Sequence, residues 1–124
     1  MNALFLVMAG GAVGAGLRHL VGRAMLASFG PGWPWGTLTV NLIGGLAMGV
    51  LAGVLLRTAS GEFWRLLLGV GVLGGFTTFS AFSLDAVLMI ERGELGAMLL
   101  YVVLSVLGSI AALALGLSLT RAMA

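Results

Sequence analysis

The residues able to do chemistry in this 124-residue chain are few, and nearly all are neutral. From Gly74 to Ser83 the sequence reads Gly-Gly-Phe-Thr-Thr-Phe-Ser-Ala-Phe-Ser, so Phe76, Phe79 and Phe82 recur every third residue among Thr77, Thr78, Ser80 and Ser83. An aromatic ring has a negative face and a positive edge. Rings presented edge-on beside hydroxyls suit a small anion that carboxylates would repel, whereas cations prefer the ring faces. Asn41 brings two amide donors to an otherwise uncharged run, with Thr37 one turn away on the same helical face. Tyr101, Ser105 and Ser109 recur every four residues and form one polar stripe. Each group also has a purely structural reading. The phenylalanines serve as apolar filler, the hydroxyls bond back to carbonyls four residues earlier, and Asn41 and the stripe join helices for about 0.6 to 2 kcal/mol each. As a set they are neutral donors and positive ring edges, with Arg18 available at a mouth. Residue types alone do not separate one small halide from another.

What the chain lacks narrows the choice. The apolar runs hold no acid, and Asp85 lies only toward the end of the third span, whereas a proton-coupled exporter needs a titratable carboxylate inside the membrane. There is no cysteine, hence no disulfide, thiolate metal site or cysteine nucleophile. The lone His19 has no second His or Cys to complete a side-chain metal site. All six basic residues are arginines scattered singly, which gives no nucleic-acid or polybasic lipid-binding patch. No enzyme chemistry and no organic cofactor are expected.

The elements that must position these groups follow from composition. With 60% hydrophobic and 8% charged residues and a mean hydropathy of +1.18, the chain departs from soluble domains, of which about a quarter is charged. The uncharged runs Gly36 to Leu56, Leu66 to Leu84 and Leu95 to Thr120 approach or exceed the roughly 18 to 20 residues that span a bilayer core. A further run from Ala3 carries Arg18, His19 and Arg23 in its second half. The expected fold is therefore an all-α integral membrane protein, one transmembrane domain over residues 1–124, with spans at about 3–28, 34–57, 63–91 and 94–121. A cleaved signal peptide is disfavoured for the first run, which has no basic stretch ahead of it and continues past Gly14 to Gly16. Turns are expected at 29–35, 57–62 and 91–94, with Trp33, Trp35 and Trp64 beside them as headgroup anchors.

Three features refine that picture. Gly69, Gly71, Gly74 and Gly75 lead into the Thr- and Ser-rich stretch of the third span, where glycine costs up to about 1 kcal/mol per position and hydroxyls compete for backbone bonds. A break there would free backbone groups of the kind that coordinate ions in membrane proteins. Gly10 and Gly14, then Gly45, Gly49 and Gly53, fall at helical spacing and let helices approach closely. The arginines tie: Arg57, Arg65 and Arg121 lie on the side of both termini, against Arg18, Arg23 and Arg92 on the other. A chain without positive-inside bias inserts both ways, and the simplest product is an antiparallel, dual-topology homodimer with its two-fold axis in the membrane plane.

The stretches Gly10 to Arg18, Gly36-Thr37-Leu38-Thr39-Val40-Asn41 and Gly74 to Ser83 resemble the Fluc or CrcB family of fluoride channels. The resemblance covers the whole chain in order and length. It implies passive export of cytoplasmic fluoride across a prokaryotic plasma (inner) membrane, through two pores in an antiparallel dimer, each lined by both subunits. Phe79 and Phe82 match the paired phenylalanines whose edges face fluoride, Asn41 the pore-lining asparagine, and Tyr101, Ser105 and Ser109 the polar track, with Thr37, Ser80 and Ser83 as further donors. Gly74 and Thr77 match positions whose backbone carbonyls hold a structural sodium ion, Na+, at the dimer centre. Arg18 matches a vestibule arginine. Ala81 and Asp85 stand where the family commonly has threonine and glutamate. The competing readings are a small multidrug exporter, which needs a glutamate in its first span, and a non-transporting structural membrane protein. A heterodimer with an oppositely oriented paralogue is compatible with the same residues.

Overall fold

The structure, a computed structural model, describes residues 2–58 and 61–123. Ala59 and Ser60, within the turn expected at 57–62, lie outside the described residues, as do the terminal Met1 and Ala124. Among the described residues the chain is all-helical. Helix α1 spans Ala3–Phe29 and α2 spans Trp35–Leu55. The third span is composite: α3 (Gly61–Trp64), a π-helix (Arg65–Leu73), α4 (Gly74–Phe76) and α5 (Phe79–Glu91). Helix α6 spans Leu95–Ala122. Four helical stretches among the described residues are long and apolar enough to cross a membrane, as their composition requires.

Local sequence sets the ends. Asn2 accepts from the Leu4 amide and caps α1, and α1 stops at Gly30, whose φ of 76° is readily reached only by glycine. The π-helix closes with the Gly74 amide donating to the Gly69 carbonyl, the five-residue reach that widens the coil. Between α4 and α5 the backbone is extended at Thr77 (φ −84°, ψ 158°) and Thr78 (φ −151°, ψ 124°).

Backbone proximity, made possible by glycine, holds the bundle together. Helix α2 packs most extensively against α6, and α1 against the π-helix. A methyl group at Gly10 would meet Leu67 O and come within 2.9 Å of Gly71 Cα, and one at Gly14 would collide with Val72 O. On the other seam, Gly49 faces Leu113, Gly45 lies against the Ser109 carbonyl, and Gly116 against that of Leu46. Lipid tails are as apolar as leucine, so such close contact, rather than exclusion of water, drives association. A small apolar cluster of Leu38, Phe82, Met89 and Tyr101 closes one end between α2, α5 and α6.

Replacing Gly49 by valine is expected to force α2 from α6, because a Cβ there would come within 3.0 Å of the Leu117 nitrogen and closer still to Leu113. Overpacking of this kind costs about 1 to 3 kcal/mol. Thermal unfolding in detergent should show a lower midpoint for Gly49→Val, with Gly16→Ala, which has open space around it, unchanged.

Candidate functional site

At the centre of the bundle are the two extended residues. Asn41 of α2 meets Thr78 twice: its Nδ2 donates to the Thr78 carbonyl at 3.0 Å, and its Oδ1 accepts from the Thr78 amide at 2.8 Å. Thr78 in turn caps α5, its Oγ1 accepting from the Ala81 amide at 3.1 Å. In an uninterrupted α-helix the Thr78 and Ala81 amides would donate to the carbonyls four residues back, which are those of Gly74 and Thr77. Asn41 and the Thr78 hydroxyl take these amides instead. On the opposite side, Arg18 of α1 donates through Nε to the Gly75 carbonyl at 3.0 Å. Thr77 Oγ1 bonds back to the Leu73 carbonyl at 2.9 Å.

Beside this junction lies an open cavity of about 430 Å³ whose lining includes Asn41, Thr77, Thr78, Phe79, Phe82, Ser105 and Ser109, and no charged residue. The rings of Phe79 and Phe82 sit 5.5 Å apart, tilted by 49°. Phe82 is buried at 8% exposure and Phe79 is 77% exposed on the open side. Ser105 is buried and its hydroxyl has no partner. Ser109 reaches the Asn41 carbonyl at 3.5 Å. A second cavity of about 290 Å³ is cationic, lined by Arg18, His19 and Arg23 together with Thr37 and Thr78. Thr78 lies at both.

Of the residues singled out from sequence, Asn41, Phe79, Phe82, Ser105 and Ser109 share the uncharged cavity, together with Thr77. Thr37 is found at the cationic cavity and at a third cavity beside Asp85. Ser83 donates to the Phe79 carbonyl at 2.9 Å, and Ser80 pairs with the Thr78 hydroxyl at 3.3 Å. Tyr101 is fully buried one turn from Ser105; its hydroxyl donates to Asp85 Oδ2 at 2.9 Å and its ring lies 5.3 Å from that of Phe82.

Residues 5–117 match the family described as CrcB-like protein, Camphor Resistance (CrcB). The chain belongs to the CrcB family. It is similar to a fluoride-specific ion channel FluC from Sphingopyxis alaskensis, 60% identical over 98% of this chain and 97% of that one. A Caulobacter vibrioides protein of the same name is 54% identical over 98% and 97% of the two chains. Another, from Novosphingobium aromaticivorans, is 52% identical over both full lengths.

In this CrcB chain the pattern Thr77-Thr78 gives no reason to favour one threonine over the other, yet Thr78 alone caps α5, binds Asn41 and faces both cavities. The signal is the N-cap position, a threonine just ahead of an apolar helix. Arg18 likewise plays two parts, since its guanidinium fastens the Gly75 carbonyl and also lines the cationic cavity.

Asn41→Leu removes both bonds to Thr78 and leaves its amide unpaired, at a cost of about 2 kcal/mol. Hydrogen–deuterium exchange at Thr78 and Ala81 is expected to rise by at least about tenfold, the factor that 1.4 kcal/mol represents. The π-helix amides should be unaffected.

Proposed function

We propose that this chain forms a fluoride-selective channel through which fluoride leaves the cytoplasm passively, driven by its gradient and the membrane potential. The observation that carries the reading is the uncharged cavity in which Asn41, Ser105, Ser109 and the rings of Phe79 and Phe82 converge. An anion there meets donors and ring edges and no carboxylate. Fluoride is the smallest and most basic halide and gains most from such donors. Selective conduction also requires binding weak enough to leave, which neutral donors supply more readily than a fixed positive charge. The cationic cavity of Arg18, His19 and Arg23 concentrates anions beside Thr78, next to the first turn of α5, whose amide end favours negative charge. The names of the relatives agree with this ion.

The working unit in this reading is an antiparallel pair of copies in a bacterial inner membrane, with two pores lined by both. Phe79 is 77% exposed at the open side of a cavity that also holds Asn41, Ser105 and Ser109. Polar groups facing hydrocarbon are costly, so a protein surface must cover them. The three-against-three division of arginines allows the same chain to supply that surface in the opposite orientation. The extended pair Thr77-Thr78 acts as a functional break in the third span. Sodium fits the donors that the break provides: the carbonyls of Gly74 and Thr77 lose their helical partners to Asn41 and to the Thr78 hydroxyl, and hard cations take such oxygens. Held between copies, the ion would fasten the dimer. Conduction itself is left to the side chains of the uncharged cavity.

Phe79→Ile keeps apolar bulk and removes the ring edge. Reconstituted Phe79→Ile should lose fluoride efflux while light scattering of the purified variant in detergent still gives the mass of a dimer. Normal efflux from that assembled variant would show that the ring edges play no part in conduction.

A further inference from the structure

Two buried side-chain polar atoms among the described residues have no hydrogen-bond partner: Ser105 Oγ and Trp33 Nε1. They flank Tyr101. Ser105 is one helical turn inward from it on α6, and the Trp33 ring packs on the tyrosine ring at a centroid distance of 6.0 Å and an angle of 65°. Tyr101 cannot complete the row with its own proton, because its hydroxyl already donates to Asp85. Ser105 and Trp33 therefore follow one another toward the turn between α1 and α2, with Tyr101 as the wall between them, while Ser109, further in, gives its proton to the Asn41 carbonyl.

An indole N–H is a donor only, so an acceptor must satisfy it, and leaving it unpaired in a buried place is costly. Asp85 and Trp33 line the same cavity of about 330 Å³, together with Thr37 and Gly36. Even so, the carboxylate does not accept from the indole: Asp85 bonds to Tyr101 while Trp33 Nε1 has no partner. Trp35 stacks edge-on against the other side of the Trp33 ring at 5.2 Å and holds it in place. A fixed, donor-only group that no protein acceptor takes, set beyond the unpaired Ser105 hydroxyl, suits a passing anion.

We propose that the Trp33 indole N–H is the outermost hydrogen-bond donor on the anion path, a site for fluoride near the α1–α2 turn. This rests on the channel reading given above. Asp85 gives the site its character. A carboxylate lining the same cavity repels an anion held by Trp33 and keeps it from being trapped, which conduction demands of an end site.

The test uses the whole protein in lipid nanodiscs with 15N-labelled indoles, titrated with sodium fluoride and, separately, sodium chloride, alongside efflux from liposomes. Fluoride should move the Trp33 indole resonance downfield while those of Trp35 and Trp64 stay in place, and chloride should move none. Trp33→Phe keeps a ring against Tyr101 and should slow fluoride efflux about tenfold, the effect of one hydrogen bond to a charged group, with chloride still excluded. If the wild-type chain conducts fluoride but its Trp33 indole does not respond, or if a dimeric Trp33→Phe conducts at the wild-type rate, the Trp33 site is wrong and the channel reading stands. A wild-type chain that passes no fluoride overturns the channel reading, and the Trp33 site with it.

Discussion

In hydrocarbon each unsatisfied backbone N–H or C=O costs several kcal/mol, and the centre of this protein is organised around that cost. The extended backbone at Thr77 and Thr78 takes amides, those of Thr78 and Ala81 among them, out of the helical ladder in the middle of a membrane-spanning stretch. Asn41 takes up the Thr78 amide that the ladder loses and also donates to the Thr78 carbonyl, as a neighbouring strand would. Arg18 holds the Gly75 carbonyl just before the interruption. The two residues come from different helices and pin the junction from opposite sides, and each also lines a cavity. The groups that make the irregular backbone tolerable are thus the ones that, in the proposed channel, would meet a permeating ion.

Close packing makes this arrangement possible. Asn41 reaches Thr78 only because α2 lies against the third span, and Thr77 Cγ2 occupies the place a side chain at Gly44 would take. Gly11 and Gly75 approach so closely that a methyl at Gly75 would lie 3.0 Å from Gly11 Cα. The π-helix adds a second irregularity directly before the junction. Its wider coil turns each residue through a smaller angle than an α-helix does, which sets the direction in which Gly74 to Thr77 present their carbonyls. Such windings are rare and occur frequently at functional sites.

Much of this was legible in the sequence. Four apolar stretches in so short a chain leave little room for anything but a helical membrane protein, and Asn41 stands out because an amide in an apolar span demands a partner. Which partner it takes was not legible, since the bond to Thr78 crosses 37 residues and depends on how two spans pack. Tyr101 and Asp85 were each visible as isolated polar groups, but their pairing needs α5 and α6 to meet at one register. Trp33 reads from sequence as a headgroup anchor beside a Gly-Pro-rich turn. Its indole nitrogen is in fact buried against the Tyr101 end of the core, because the turn folds back over the bundle, a path that local residue preferences do not encode. Ser83 illustrates the opposite case: a hydroxyl inside a helix bonds back to the carbonyl four residues earlier, as isolated serines in membrane helices do.

The central claim is that neutral donors and ring edges, with no fixed charge among them, select one small anion. It is tested most directly by reconstituting the purified chain in liposomes loaded with potassium fluoride or potassium chloride, adding valinomycin and following efflux with ion-selective electrodes. Rapid fluoride efflux with chloride retained is the predicted result. Equal efflux of both anions, or of neither, would contradict it.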